Sequence, residues 1–161
     1  MGILSAACEY AIRAMLYLEA HAGGESVPVA VIARETGISH PFLSKIVRQL
    51  VERGLLDSAR GPGGGVRLAR PARSITLLDI IAAIDGLHFA TGCALGFPEC
   101  DDDAPCPIHP YWRSLREQVM RMFAKKSLSV FAREISAKMK KLERQRKTGA
   151  SPKARKGGRG Q

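Results

Sequence analysis

Apolar residues along the N-terminal half of the chain recur first at helical spacing and then at strand spacing. Tyr10, Ala11, Ala14, Met15 and Leu18 fall three or four apart and form one face of a helix. Ser5 precedes that face and can cap it through its hydroxyl, and Gly23-Gly24 stop it. Val29 to Glu35 predicts a short second helix with Val29, Ile32 and Ala33 inward, and Thr36-Gly37 predicts the corner after it. A third helix is expected from Ser39, with Pro41 in its first turn and Phe42, Leu43, Ile46, Val47 and Leu50 as its buried stripe. Gly54 ends it. Leu55 to Arg60 and Val66 to Arg70 then read as two short strands around Gly61-Pro62-Gly63-Gly64-Gly65. Thr76 with Asp79 makes a capping pair in front of Leu77, Ile80, Ile81 and Ile84, and Gly86 marks the end of that helix. Two helices joined by a tight turn and followed by a glycine-rich hairpin predict a mainly α fold, a winged helix-turn-helix with a small β-hairpin wing.

From residue 87 to residue 107 the periodicity lapses, and Cys93, Cys100 and Cys106 fall among Pro98, Pro105, Pro107 and the acidic run Glu99 to Asp103. A loop this long inside a compact domain is commonly functional. Helical spacing returns with Trp112, Leu115, Val119, Met122 and Phe123. After a cap at Ser127 it continues with Val130, Phe131, Ile135 and Met139 to about Leu142. The expected organisation is a DNA-reading domain over residues 1–86, a cysteine loop over 87–109, helices over 110–146 and a disordered basic tail over 147–161.

Charge sharpens this picture once it is divided along the chain. The 161 residues carry a formal charge of +10, but residues 138–161 hold ten Lys or Arg against one acid, so most of the excess lies in the tail. Within the body, residues 34–73 hold eight basic residues against three acidic ones. That local surplus coincides with the helix-turn-helix and its wing, the expected footprint of a nucleic-acid contact. His40, Ser44, Lys45 and Arg48 lie at the start or on the outer side of the third helix, where base edges and phosphates would be met. Arg48 can hold a guanine bidentately, and Lys45 suits a phosphate. Arg60 and Arg67 flank the wing, where a guanidinium can enter a narrow minor groove, and Gly63 and Gly64 let backbone approach phosphate. The bland alternatives are a solvated helix face and plain turn geometry. Only 6% of residues are aromatic, and none stands between Phe42 and Phe89, so the basic region lacks the stacking residues of a single-strand RNA binder.

No run approaches the roughly 18 apolar residues of a membrane span, and no export signal precedes the first helix. A cytoplasmic protein without membrane association is expected, with its four cysteines as thiols for metal or redox chemistry rather than disulfides. There is no Cys-x-x-Cys pair and no Ser-His-Asp grouping, so an enzyme is not expected. Cys8, alone on a helix, reads as a small buried hydrophobe.

From Leu4 to about residue 143 the chain resembles the IscR/NsrR family of winged-helix regulators, the Rrf-two type. The resemblance rests on Glu9-Tyr10-Ala11-Ile12-Arg13-Ala14, Ile38-Ser39 to Leu50, Gly54-Leu55-Leu56, Arg60-Gly61-Pro62-Gly63-Gly64-Gly65 and Ile75-Thr76-Leu77-Leu78-Asp79. Cys106-Pro107-Ile108-His109-Pro110-Tyr111-Trp112-Arg113 looks like the IscR branch, with a histidine three residues after the last cysteine. The resemblance implies a DNA-binding transcription regulator, probably a repressor, working as a homodimer through a long C-terminal dimerisation helix on a double-stranded operator. It also implies an iron–sulfur cluster that reports redox, nitric-oxide or iron state, [2Fe–2S] in preference to [4Fe–4S]. Cys93, Cys100, Cys106 and His109 are the implied ligands, with Glu9 of the partner subunit as the alternative fourth. Soft thiolates with one imidazole suit iron, but Cys3His suits zinc equally in ligand type, and a thiol switch without metal is a further alternative. Two departures from the family pattern are visible. Six residues separate Cys93 from Cys100 where about five are expected, and Val66 stands where a tyrosine usually follows the glycines.

Overall fold

A computed structural model describes residues 4–98 and 102–147. Cys100, the ends of the acidic run at Glu99 and Asp101, and the tail beyond Lys147 lie outside the described residues.

The first helix, α1 (Ala6–His21), is capped as expected: the Cys8 amide donates to Ser5 Oγ at 3.1 Å. Its face of Cys8, Ala11, Ala14, Met15 and Leu18 is buried. Two further helices, α2 (Val29–Thr36) and α3 (His40–Glu52), pack against it. They meet at Gly37, whose φ of 69° closes the corner in a left-handed conformation that side chains resist. On α3, Leu43, Ile46, Val47 and Leu50 are buried, but Phe42 is 37% exposed. It sits at the rim and meets the Tyr10 ring edge-on at 5.6 Å, so the expected five-residue stripe has four inward members and one aromatic clasp to α1.

The strands β1 (Leu56–Ala59) and β2 (Gly65–Leu68) form an antiparallel ribbon with Leu56 opposite Leu68 and Ala59 opposite Gly65. Val27 adds a third rung, exchanging two 2.9 Å backbone hydrogen bonds with Val66. This explains two of the wing glycines. A Cβ at Gly65 would lie 2.3 Å from the Val27 carbonyl oxygen, and one at Gly64 would lie 2.6 Å from that of Ala59. Val66 itself is 2% exposed, so the departure from tyrosine falls in the core and not at the wing tip.

A 3-10 turn at Ala72–Ser74, which the apolar pattern does not reveal, leads into α4 (Leu77–Ile84). Its capping box is complete: Asp79 N–H donates to Thr76 Oγ1 at 3.2 Å, and Thr76 N–H to Asp79 Oδ2 at 2.8 Å. The loop is less irregular than expected, because His88–Thr91 forms one helical turn, α5. The remaining helices, α6 (His109–Lys125) and α7 (Leu128–Lys147), behave differently. On α7, Leu128 and Ala132 are buried, the Leu128 amide donates to the Ile75 carbonyl at 2.7 Å, and the helix packs back on α1. On α6, which rests on α4 and α5, Tyr111, Leu115 and Met122 are 79%, 51% and 56% exposed. At 3.6 residues per turn these three share one face.

Leu128, fully enclosed where α7 meets the reading domain, should be a strong stability determinant. Leu128→Ala should lower the unfolding free energy by about 2–5 kcal/mol in urea titration. A loss below about 1 kcal/mol would show that α7 is not part of the core.

Candidate functional site

On the reading face, α3 presents His40, Lys45 and Arg48 to solvent, while Ser44 is half-buried. The hydroxyl of Ser44 donates to the His40 carbonyl at 2.9 Å, which leaves its oxygen lone pairs as the groups turned outward for a donor. Arg60 and Arg67 are exposed on the ribbon. Arg67 pairs across the strands with Asp57 at 3.6 Å, an exposed contact that a phosphate could readily replace. Gly63 has a φ of 74° and open space around it, so of Gly63 and Gly64 it is the former whose bare backbone is accessible, whereas Gly64 is required by the turn. The structure thus brings α3 and the wing to one side of the domain through the pairing of both with α1.

The cysteine loop is tied at both ends. At its beginning Asp85, the C-cap of α4, accepts from the Ser5 amide at 2.9 Å and from the Ser5 hydroxyl. The same hydroxyl caps α1, so the loop starts from a joint with the helix on which α2 and α3 pack. At the other end the Trp112 indole N–H donates to the Gly92 carbonyl at 2.8 Å, and Arg116 Nη1 donates to the same oxygen at 3.3 Å. Gly92 immediately precedes Cys93. The His109 amide donates to the Cys106 carbonyl at 2.9 Å. Cys93 and Cys106, both half-buried, are thereby held against the first turns of α6 beside His109. Sequence spacing gives the cysteines and the histidine; it does not reveal Trp112 and Arg116 as the anchors of Cys93.

His109 is 5% exposed, the one buried polar side chain among the described residues. Its Nε2 lies 3.1 Å from Asp102 Oδ1, and Arg113 Nη1 lies 2.7 Å from both oxygens of that carboxylate. The hydrogen bond from His109, helped by the Arg113 charge, holds the Asp102 carboxyl below the usual carboxylate range. Among the described residues no three His, Cys, Asp or Glu side chains form a ready metal-binding group. The donors present nonetheless fit an iron–sulfur group in type: two thiols and an imidazole gather at one helix end, and the third cysteine, Cys100, lies outside the described residues. Glu9 is exposed on the first turns of α1.

Cys8 is different in kind. It is fully enclosed, and burial pushes its thiol up to about 12, with the charges of Asp85 and Glu9 and a hydrogen bond to Asp85 adding to the rise. It remains a protonated packing residue, as expected from its isolation in the sequence.

Helix, tight corner, basic helix and glycine ribbon in this arrangement define a winged helix-turn-helix protein. The chain belongs to the Rrf2 family, described as iron-dependent transcriptional regulators, whose profile matches residues 4–134. It is 39% identical over 110 residues to the HTH-type transcriptional regulator IscR of Vibrio campbellii, a match covering 68% of this chain and 65% of that one. To IscR of Xenorhabdus nematophila it is 37% identical, over 74% of this chain and 72% of the relative. Among solved structures it resembles CymR, the global cysteine regulator of B. subtilis, with a TM-score of 0.69 and 25% identity over 83% of this chain and 98% of that one. IscR of T. potens gives 0.66 and 26% over 82% and 87%. These relatives are transcription regulators, not enzymes, and none of the described helices is long and apolar enough to cross a membrane.

In metal-free, reduced protein at mildly alkaline pH, iodoacetamide should alkylate Cys106 well before Cys8, read by mass spectrometry of the labelled peptides. Equal rates at the two thiols would contradict the burial and protonation assigned to Cys8.

Proposed function

We propose that the chain is a homodimeric, DNA-binding transcription regulator whose operator affinity is set by an iron–sulfur cluster on the loop between α4 and α6. The observation that carries this reading is the double tether of that loop: Asp85 joins it to the cap of α1, and Gly92 and Cys106 join it to α6. A group bound by the loop therefore acts on both the reading domain and the helix with the exposed apolar face.

The exposed Tyr111, Leu115 and Met122 support self-association through α6, since an apolar face of this kind gains by burial against its own copy. The basic outer side of α3 and the ribbon arginines support duplex binding, with Arg48 reading base edges and Lys45 contacting phosphate in each half-site. In a dimer, two such faces would meet half-sites about one helical turn apart, roughly 34 Å. A small change in the tilt of α6 relative to α4 then alters how well both faces fit at once.

Cys93, Cys100, Cys106 and His109 are the residues that would hold the cluster, with Glu9 of the partner subunit as the alternative fourth donor. The group would supply a centre that is lost on oxidation, nitric-oxide exposure or iron shortage. What the chain itself contributes is order: Trp112 and Arg116 fix the approach to Cys93, and the His109 amide fixes the carbonyl of Cys106. Repression is the expected direction of regulation and the cytoplasm the expected compartment. A cysteine thiol switch is the second reading, favoured by the likeness to CymR, whose title names it a cysteine regulator. Zinc in a Cys3His set is the remaining option on ligand type.

Anaerobic purification followed by visible absorption and iron, sulfide and zinc analysis tests the proposal. Brown protein with stoichiometric iron and sulfide is expected, and Cys106→Ala should abolish the colour while leaving the fold intact by circular dichroism. Colourless protein, whether metal-free or loaded with zinc, would overturn the cluster reading.

A further inference from the structure

The carboxylate beside His109 is unusual in its surroundings. The imidazole is 5% exposed, yet its Nε2 faces the oxygen of a side chain that is itself largely in solvent, at 3.1 Å. Asp102 does not drift there by chance of rotamer. Arg113, one turn along α6 from His109, sets its Nη1 2.7 Å from both oxygens of Asp102. The guanidinium is in turn positioned by Glu117, 3.5 Å from Arg113 Nε, and Glu117 pairs with Arg121 at 3.5 Å. A ladder of alternating charge along α6 therefore ends on the imidazole.

A carboxylate bound to arginine can only accept, so the hydrogen between Asp102 and His109 must sit on Nε2. In a neutral imidazole the other nitrogen then carries the lone pair. We propose that Asp102, held by Arg113, is a positioning residue that fixes the Nε2–H tautomer of His109 and so makes Nδ1 the nitrogen offered to a metal. This rests on the assignment of His109 as the fourth ligand, but the tautomer itself does not require any metal. Such outer partners orient ligating histidines and raise their basicity, and their loss typically costs about 10–100-fold in metal affinity. A merely structural Asp102 would stitch the loop to α6 equally well through Arg113, with either tautomer at His109.

The full chain separates these. In metal-free protein above the titration of free histidine, 15N-labelled His109 should show Nε2 as the protonated nitrogen and Nδ1 as the bare one. Asp102→Ala should release this preference, and Asp102→Asn, whose amide oxygen can still accept, should restore it. Reconstituted with iron and sulfide and reduced, protein with 15N only at histidine Nδ1 should show strong electron–nuclear coupling, and protein labelled only at Nε2 should not. Asp102→Ala should assemble the cluster with roughly 10–100-fold weaker affinity for iron. An Nδ1–H tautomer in the metal-free chain, or strong coupling at Nε2, would overturn the proposal. Failure of wild-type protein to take up iron and sulfide, with the Nε2–H tautomer present and dependent on Asp102, would uphold the positioning role and defeat the cluster reading instead.

Discussion

The carbonyl of Gly92 accepts from both the Trp112 indole and the Arg116 guanidinium, and this junction determines where the cysteine loop can lie. Both donors come from α6, so Cys93 is fixed relative to that helix and not relative to the wing. Cys106 is fixed to the same helix through the His109 amide. Without these contacts the loop between Gly86 and Ile108 would be a flexible connector whose contents could not influence its ends. With them, its beginning at the Asp85–Ser5 joint and its end at α6 become parts of one mechanical unit.

The reading domain provides the stiffness that such coupling needs. Met15, Leu18, Ile32, Leu43, Ile46 and Leu50 are almost completely enclosed, so α1, α2 and α3 move together or not at all. Leu128 and its hydrogen bond to Ile75 add the start of α7 to that body. What remains outside it is α6, with its exposed apolar face and its charge ladder. Motion between α6 and the rest is therefore the degree of freedom on which a ligand in the loop can act.

Much of this was legible in the chain because local chemistry decided it. Ser5, Gly37 and the Thr76–Asp79 pair act within a few residues of themselves, and each does in the structure what its type and position predict. Phe42 was less legible: periodicity assigns it inward, but its neighbour across the rim, Tyr10, comes from another helix. The reason for Gly65 was also hidden, since the backbone that excludes a side chain belongs to Val27, 38 positions earlier. The same holds at the loop. Cys93, Cys106 and His109 announce themselves by type, whereas Trp112, Arg116, Asp102 and Arg113 matter only through contacts that spacing does not encode. Tryptophan on an apolar helix face reads as packing until its N–H is seen to have a carbonyl partner.

The central claim is that the contents of the loop set the pose of the two reading faces. It is tested most directly by fluorescence anisotropy, comparing cluster-loaded and cluster-free protein on one duplex that the protein itself has selected from a random library, at fixed salt. The account predicts dissociation constants that differ by at least about tenfold, corresponding to 1.4 kcal/mol of coupling. Equal constants for the two forms would contradict it.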